Sequence, residues 1–303
     1  MKKKLITVLN AVAAIVLLFL FFSQIGLESL TSQATQINLF WLAPAIACYL
    51  AMNFTSALRL KKILNLPLSA TRVFFIHMQA LLLSDFTPGR SGYAYLVYSL
   101  RNLQKTTINA RVLGIVLASD FLIRALLVIA SIALFAKGFL AAGVFLTVFS
   151  TIALLLFWKR VTLVEKILTL VPLAGKRLSE AYNEVFVHHV RTSVMLYSLY
   201  VSAVGAVLRG AAWWFVLYAI GFNASFSAFI VLCALLTSIS FIPLSIAGLG
   251  VQEATGAFLF SSLLGIPATA AALLMILIRV VEVGSDLLGL KEFARAAKFK
   301  QPA

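Results

Sequence analysis

The residues of this chain that can do chemistry are charged side chains lying inside long apolar stretches. The cations are Arg90, Arg124, Arg209 and Arg279, and the anions are Asp85, Asp120, Glu253, Glu282 and Asp286. A charged side chain at the centre of a membrane helix costs about 2.5–3.5 kcal/mol on insertion scales. If these stretches cross a membrane, the charged residues must pair with one another, line a wet cavity, or do both.

Sequence spacing suggests partners for some of these charges. Asp120 and Arg124 are four residues apart and share a helix face, so we interpret them as a structural ion pair. Arg279 lies one turn before Glu282. Arg209 has no acidic residue within a turn, so it needs a partner from another segment or an anionic ligand.

Two apolar stretches are interrupted by turn-forming residues. Residues 73–100 are broken at Thr87–Gly92, and residues 226–264 are broken at Pro243 and at Ala247–Gly250. Glycines at these breaks, which we call the first and second tips, permit positive φ and a close approach of the backbone. The helix that restarts at each tip directs free N–H groups and its positive dipole end inward, which favours an anion.

Side chains at the tips extend this prediction. The planar guanidinium of Arg90 at the first tip suits a phosphate group. Glu253 follows the second tip, where it either caps the helix or contacts a cationic headgroup. The predicted substrate-binding set is Gly89, Arg90, Gly92, Arg209, Gly248, Gly250, Glu253, Arg279 and Glu282.

The sequence has no pattern that indicates catalysis or metal binding. His77 is isolated on an apolar segment, where we expect it to be buried and hydrogen-bonded, and the three histidines lack ligand spacing. Cys48 and Cys233 lie in apolar runs without ligand spacing, so they are interpreted as free thiols. We expect neither an enzyme nor a cofactor or metal.

The composition determines what kind of element holds these residues. The chain has 303 residues, of which 62% are hydrophobic and only 12% charged, and its mean hydropathy is +1.03. A soluble domain is about one-quarter charged. The chain is therefore predicted to be an all-α polytopic membrane protein.

Six runs have the roughly 20 apolar residues that one crossing requires. They are 5–25, 39–58, 112–136, 138–157, 193–220 and 268–290. The first run is longer than a cleavable signal's apolar region, so we interpret it as a retained signal anchor.

The distribution of Lys and Arg predicts the orientation of these runs. With both termini in the cytoplasm and both broken stretches re-entrant, 20 of the 25 basic residues are cytoplasmic, including Arg59 and Arg101. Full crossings would instead move nine of them outside, against the positive-inside rule. The net charge of +15 therefore indicates a membrane face rather than nucleic acid.

This topology divides one membrane domain into two halves of opposite orientation, a plan that recurs in transporters. The predicted segments are 1–38 (signal anchor and outer loop), 39–136 (first repeat), 137–192 (connecting helix and cytoplasmic interfacial segment), 193–290 (second repeat) and 291–303 (cytoplasmic tail).

The two tip motifs, Phe86–Gly92 and Ile242–Glu253, together with Arg279, resemble the lysylphosphatidylglycerol synthase transmembrane-region family, which includes the flippase domain of the bacterial multiple peptide resistance factor. The resemblance covers about residues 39–290, and Tyr93 replaces an acid expected after Gly92. It implies a lipid-translocating protein of the inner membrane. Larger members add a soluble aminoacyl transferase domain, which we do not expect here because the chain ends soon after its last helix.

Three functions follow as hypotheses. The first is a flippase that moves a phospholipid or polyprenyl phosphate, with anionic membrane lipids as partners. The second is a secondary transporter of a small anion. The third is an accessory subunit of a lipid-modifying glycosyl or aminoacyl transferase.

Overall fold

A computed structural model describes residues 27–132, 140–158, 169, 179, 180, 182, 183, 191–241 and 248–298. The predicted signal anchor, most of the connecting segment, residues 242–247 of the second tip and the chain beyond 298 lie outside these ranges. Within them, every regular element is a helix, as the apolar composition predicted.

The described residues form eleven α-helices, numbered in chain order. They are α1 (Leu27–Ala34), α2 (Leu42–Leu64), α3 (Ala70–Ser84), α4 (Tyr95–Ser99), α5 (Thr106–Ile132), α6 (Leu140–Trp158), α7 (Thr192–Ala219), α8 (Phe226–Ile239), α9 (Val251–Leu264), α10 (Ala268–Asp286) and α11 (Leu290–Lys298). Short 3₁₀ turns cover Leu39–Trp41, Ser91–Ala94 and Leu287–Gly289.

Local sequence explains where several helices begin and end. Ser69 starts α3 because its side chain accepts a hydrogen bond from the Arg72 N–H, which satisfies a donor that the first turn leaves free. Asn65 ends α2 and Gly265 ends α9 in the left-handed conformation, which asparagine and glycine adopt more readily than other residues.

Three helices among the described residues are long and apolar enough to cross a membrane. They are Leu39–Leu64, Ile108–Ile129 and Thr192–Ala219, and they correspond to the predicted runs 39–58, 112–136 and 193–220. The predicted runs 138–157 and 268–290 are helical as α6 and α10, but the count of six crossings stays a prediction. The first of the three helices extends past residue 58, so it includes Arg59.

The chain reverses direction at the first tip. Tyr93 OH lies 3.0 Å from His77 Nδ1, whereas an uninterrupted helix would separate these residues by about 24 Å. Gly92 lies against the end of α3, where an added Cβ would be 2.4 Å from the Leu83 carbonyl oxygen. The break predicted at Thr87–Gly92 therefore forms a hairpin, whose second arm is the 3₁₀ turn and α4.

The second broken stretch also reverses. Phe229 near the start of α8 stacks on Phe260 near the end of α9, with ring centroids 4.9 Å apart. Gly248 lies beside Ser240. The two stretches that the sequence singled out both fold back on themselves as helical hairpins, and their re-entrant placement in the membrane stays a prediction.

The packing of the two halves follows one scheme. The first long helices, α2 and α7, pack against each other, and each contacts its own hairpin through α3 or α8. The last helices, α5 and α10, each contact both the first helix and the hairpin of the opposite half. The largest buried core surrounds Tyr49, Trp213 and Phe229, and it joins both halves.

Candidate functional site

A cavity of about 900 Å³, counting its open mouth, lies between α2, α3, α5, α7 and α8. Four arginines line it, namely Arg59, Arg90, Arg124 and Arg209, and Asp120 is the acidic residue that lines it among the described residues. Four of the five charged residues lie on three different long helices, α2, α5 and α7, and Arg90 lies at the first tip. The cavity is therefore built by both halves of the chain, and its wall is strongly cationic.

Arg59 of α2 forms a short ion pair at the cavity wall. Its Nη1 lies 2.9 Å from Asp120 Oδ1, and it also donates to the Ser202 hydroxyl at 2.7 Å and to the Ser198 carbonyl. Only 2% of the Arg59 side chain is exposed. The predicted run ended at residue 58 and left Arg59 in the segment that follows it, whereas α2 continues to Leu64 and Arg59 lines the cavity.

The same contacts correct the predicted ion pair of α5. Asp120 binds Arg59 and also accepts a hydrogen bond of 2.6 Å from the Ser202 hydroxyl. Arg124, one turn further along the helix, instead lies with its guanidinium carbon 5.4 Å from the ring centres of Phe121 and Phe241. The predicted Asp120–Arg124 pair is therefore replaced by a pair between α5 and α2.

Arg209 finds the distant partner that its sequence surroundings lacked. Its Nη1 donates to Glu282 Oε1 at 2.9 Å, and the Trp213 indole donates to the same oxygen at 3.0 Å. The other Glu282 oxygen lies 3.6 Å from Arg90 Nη2. Glu282 thus neutralises two arginines of the cavity wall, although it is not among the described residues that line the cavity.

Two further acids, Asp85 and Asp286, lie next to this network. Arg90 Nη2 also lies 4.0 Å from Asp85 Oδ1. Asp286 accepts hydrogen bonds from the Tyr49 hydroxyl at 3.0 and 3.2 Å. Asp286 is buried, although it lies at the end of α10.

Four backbone N–H groups at the first tip are bonded within the chain. The Arg90 N–H donates to the Thr87 carbonyl, the Ser91 N–H to Pro88 and the Tyr93 N–H to Arg90. The Gly92 N–H donates to the Thr87 hydroxyl at 2.6 Å. Because these four groups are already bonded, the first tip offers an anion the Arg90 side chain rather than the predicted N–H groups.

The second tip holds an anion of its own. Glu253 Oε2 accepts the Gly250 N–H at 2.7 Å, and Glu253 Oε1 lies 2.7 Å from Arg279 Nη2. Arg279 Nη2 also donates to Gln252 at 3.3 Å. A carboxylate of the chain thus occupies the helix N-terminus where the sequence analysis expected a substrate, which favours the capping role for Glu253.

His77 forms the buried hydrogen bonds predicted for it. Its Nε2 lies 3.3 Å from Asn53 Oδ1, and its Nδ1 lies 3.0 Å from the Tyr93 hydroxyl. No group of three His, Cys, Asp or Glu side chains within the described ranges is arranged to hold a metal ion.

The predicted binding set is thus divided by the structure. Arg90 and Arg209 line the cavity, and Glu282 contacts both of them from behind. The other six, Gly89, Gly92, Gly248, Gly250, Glu253 and Arg279, are not among the described residues that line it. Their assignment to substrate binding stays a prediction.

Sequence reasoning missed Arg59 as a cavity residue, although a signal was present. Tyr49, Asn53, Ser56 and Arg59 recur at intervals of four, three and three residues, so they form one polar stripe on a helix of period 3.6. A polar stripe on an otherwise apolar membrane helix indicates that this face lines a cavity.

Comparison with known families gives a match over most of the chain. The family model described as the lysylphosphatidylglycerol synthase TM region matches residues 6–288. No curated protein matches the chain.

Proposed function

This chain belongs to the lysylphosphatidylglycerol synthase transmembrane-region family, and on that premise we propose that it is a lipid flippase. Its substrate is a lipid with a phosphate-bearing headgroup, either a phospholipid or a polyprenyl phosphate. The headgroup enters the cavity between the halves while the apolar tails stay in the bilayer. The chain thus transports rather than catalyses, without a cofactor.

The observation that carries this proposal is the cationic wall of the cavity. Arg59, Arg90, Arg124 and Arg209 line one space inside a membrane protein, and guanidinium groups bind phosphate through paired N–H donors. Charged residues at such depth are expensive and mark substrate pathways. A phosphate headgroup must lose its water to cross the bilayer, and these donors replace that water.

Matching ion pairs in the two halves support the inverted repeat. Arg59 and Arg209 both lie 17 residues after the first residue of α2 and of α7. Asp120 and Glu282 both lie 14 residues after the first residue of α5 and of α10. Equivalent positions thus carry the same Arg–carboxylate pair at 2.9 Å.

The proposed transport cycle follows from this arrangement. Transporters with inverted repeats hold substrate at the repeat interface and rock one half against the other. The cavity here lies where α2 and α7 meet, so such a motion opens it to each leaflet in turn. We place the chain in the inner membrane with six crossings, two re-entrant hairpins and both termini in the cytoplasm.

Lipid translocation in proteoliposomes tests the proposal. A fluorescent phosphatidylglycerol is reconstituted with the full chain and quenched from outside, and the wild type is expected to move it between leaflets. The double variant Arg90→Gln/Arg209→Gln should lose this activity. The matched control Arg101→Gln/Arg295→Gln removes the same charge from exposed positions and should flip lipid normally.

A second variant protects the test against misfolding. Removing both arginines leaves the buried Glu282 without a cation, which destabilises a protein strongly. Arg209→Gln/Glu282→Gln removes one charge of each sign and keeps groups able to hydrogen bond, so it should fold and still flip slowly. Normal flipping by both double variants would reject the site.

The other two hypotheses are outcomes of the same experiment. Uptake of a water-soluble phosphate ester without lipid movement would favour a small-anion transporter. Lipid movement or headgroup transfer that appears only with an added transferase would favour an accessory subunit.

A further inference from the structure

Arg124 differs from the other arginines of the cavity in its partners. Arg59 lies within 4.0 Å of Asp120, Arg209 within 4.0 Å of Glu282, and Arg90 within 4.0 Å of both Glu282 and Asp85. No such carboxylate contact is made by Arg124 within the described residues.

The surroundings of Arg124 compensate its charge only in part. The guanidinium lies near the faces of Phe121 and Phe241, and aromatic faces attract cations weakly compared with a carboxylate. Its Nη1 is buried and has no hydrogen-bond partner among the described residues. A partly buried cation that contacts no carboxylate is costly to the fold, so this residue is kept at the expense of stability.

Two other arginines of the same cavity wall also carry donors without a partner. The Nε groups of Arg59 and Arg90 are buried without a hydrogen-bond partner, and these side chains are only 2% and 9% exposed. Buried N–H groups normally have a partner. Three orphaned guanidinium donors on one cavity wall therefore indicate that an anion completes the site.

The charge of the missing anion follows from the buried ions. Arg59, Arg209 and Arg90 lie within 4.0 Å of the carboxylates of Asp120, Glu282 and Asp85 respectively, and Arg124 is the fourth cation of the cavity wall. Asp286 contacts no cation among the described residues and accepts hydrogen bonds from the Tyr49 hydroxyl instead. Three negative charges therefore face four positive ones.

We propose that Arg124 binds the phosphate of the substrate and that the site selects a singly charged phosphodiester. This rests on the proposed function and specifies its substrate class. A phosphodiester carries one negative charge, which restores neutrality when it enters the cavity. A phosphomonoester carries up to two at neutral pH, and a zwitterionic headgroup has no net charge, so both leave the cavity unbalanced.

Binding to the purified full chain in detergent tests this proposal. The probes are dioctanoyl phosphatidylglycerol (a diester), dioctanoyl phosphatidic acid (a monoester), dioctanoyl phosphatidylethanolamine (a zwitterion) and the tail-free diester glycerophosphoglycerol. Affinity is followed through thermal stabilisation. The variants are Arg124→Gln and Arg124→Lys, with Arg101→Gln as a control that removes the same charge from an exposed position.

We expect the wild type to bind phosphatidylglycerol at least tenfold more tightly than the phosphatidic acid or phosphatidylethanolamine probe. Arg124→Gln should bind phosphatidylglycerol at least tenfold more weakly than the wild type. Arg124→Lys should keep part of the wild-type affinity, and Arg101→Gln should keep all of it. Without lipid, Arg124→Gln should unfold at an equal or higher temperature than the wild type, because it removes a partly buried cation that contacts no carboxylate among the described residues.

The opposite results overturn the proposal. A lower unfolding temperature for lipid-free Arg124→Gln would show that Arg124 is structural, and unchanged phosphatidylglycerol binding would remove it from the site. Preference for the monoester or the zwitterion would reject the charge argument.

Failure of this inference and failure of the proposed function are distinguishable. If glycerophosphoglycerol binds the wild type as well as the lipid does, and lipid does not flip, the anion site stands and the flippase falls. If the wild type flips phosphatidylglycerol and Arg124→Gln flips it equally well, the flippase stands and the role of Arg124 falls.

Discussion

Single ion pairs hold the walls of the cavity in place. Arg59 joins α2 to α5 and hydrogen bonds to Ser202 of α7, so one side chain connects three helices. Substituting Arg59 therefore removes contacts between all three helices. The equivalent pair of Arg209 and Glu282 joins α7 to α10.

The first prediction concerns the Arg59–Asp120 pair. Asp120→Leu alone should lower the free energy of unfolding by about 3–5 kcal/mol, because a buried guanidinium then lacks its counter-ion. Arg59→Met/Asp120→Leu should recover most of this loss, since it removes both charges. The free energy of unfolding of both variants is measured in bicelles. Equal values for the single and double variants would contradict the ion-pair explanation.

The second prediction separates capping from substrate binding at Glu253. Glu253→Gln removes the negative charge next to the Gly250 N–H and Arg279. We expect a lower unfolding temperature, with flipping per folded molecule nearly unchanged. If the flipping rate instead falls by a much larger factor than the amount of folded protein, Glu253 belongs to the substrate site.

At the residue scale, the sequence predicted most of the charged residues of the site but not which of them form ion pairs with each other. Nine intramembrane charges were recognisable because they interrupt apolar runs. Their partners lie 61 to 73 residues away in the pairs Arg59–Asp120 and Arg209–Glu282. Spacing within one helix cannot reveal a contact of that separation, and for Asp120 it indicated the wrong partner.

Among the elements, the first hairpin depends on a close contact at its side. Gly289, in the 3₁₀ turn after α10, lies so near α3 that an added Cβ would be 2.5 Å from the Gln79 backbone nitrogen. Backbone atoms cannot move aside as a flexible side chain can. The contact fixes the end of α10, which carries Glu282 and Asp286, against the hairpin.

The third prediction follows from this contact. Gly289→Ala should destabilise the protein by about 1–3 kcal/mol, the usual range for overpacking. Gly284→Ala is the matched control, because the space around its added Cβ is open and alanine is the better helix former by up to about 1 kcal/mol. If both variants unfold at the same temperature, α10 does not need this close approach.

The fourth prediction concerns the orientation of the hairpins. In a chain whose Cys48 and Cys233 are replaced by serine, single cysteines are introduced at Asn65 or Asn102 and at Asn223 or Ala268, all of which are exposed. A re-entrant first hairpin makes the first two positions react with a membrane-impermeant maleimide only from the cytoplasmic side. The last two positions should react only from outside. If the two positions that flank one hairpin react from opposite sides of the membrane, that stretch crosses fully.

The elements were largely predictable from the sequence. Glycine and proline at the tips, together with the distribution of Lys and Arg, indicated two hairpins before any contact was known. The small second arm of the first hairpin was not predictable, because the 3₁₀ turn and α4 are held by tertiary contacts such as His77 with Tyr93. The sequence also gave no reason for the tip's donors to be satisfied internally.

At the scale of the whole molecule, the two halves meet where α2 packs on α7. Met52 and Gly205 face each other across this interface, with 3.7 Å between Met52 Cγ and an added Cβ at Gly205. Both residues line the cavity. A covalent link here joins the halves at the site that transport must reshape.

The fifth prediction uses that link. Met52→Cys/Gly205→Cys, again without Cys48 and Cys233, should lose flipping when a short thiol-specific cross-linker bridges the pair, and a cleavable reagent should restore flipping after reduction. Each single cysteine variant treated in the same way is the control. Full activity of the cross-linked protein would rule out rocking of the halves at this interface.

The matched positions of the two Arg–carboxylate pairs have an evolutionary consequence. A half-length ancestor with one arginine and one acid, inserted into the membrane in both orientations, would assemble with an inverted copy of itself around a shared cavity. Gene fusion would then fix both orientations in one chain and free the copies to diverge. Asp286 and Arg124, each four residues after the acid of its half, differ in charge as such divergence would leave them.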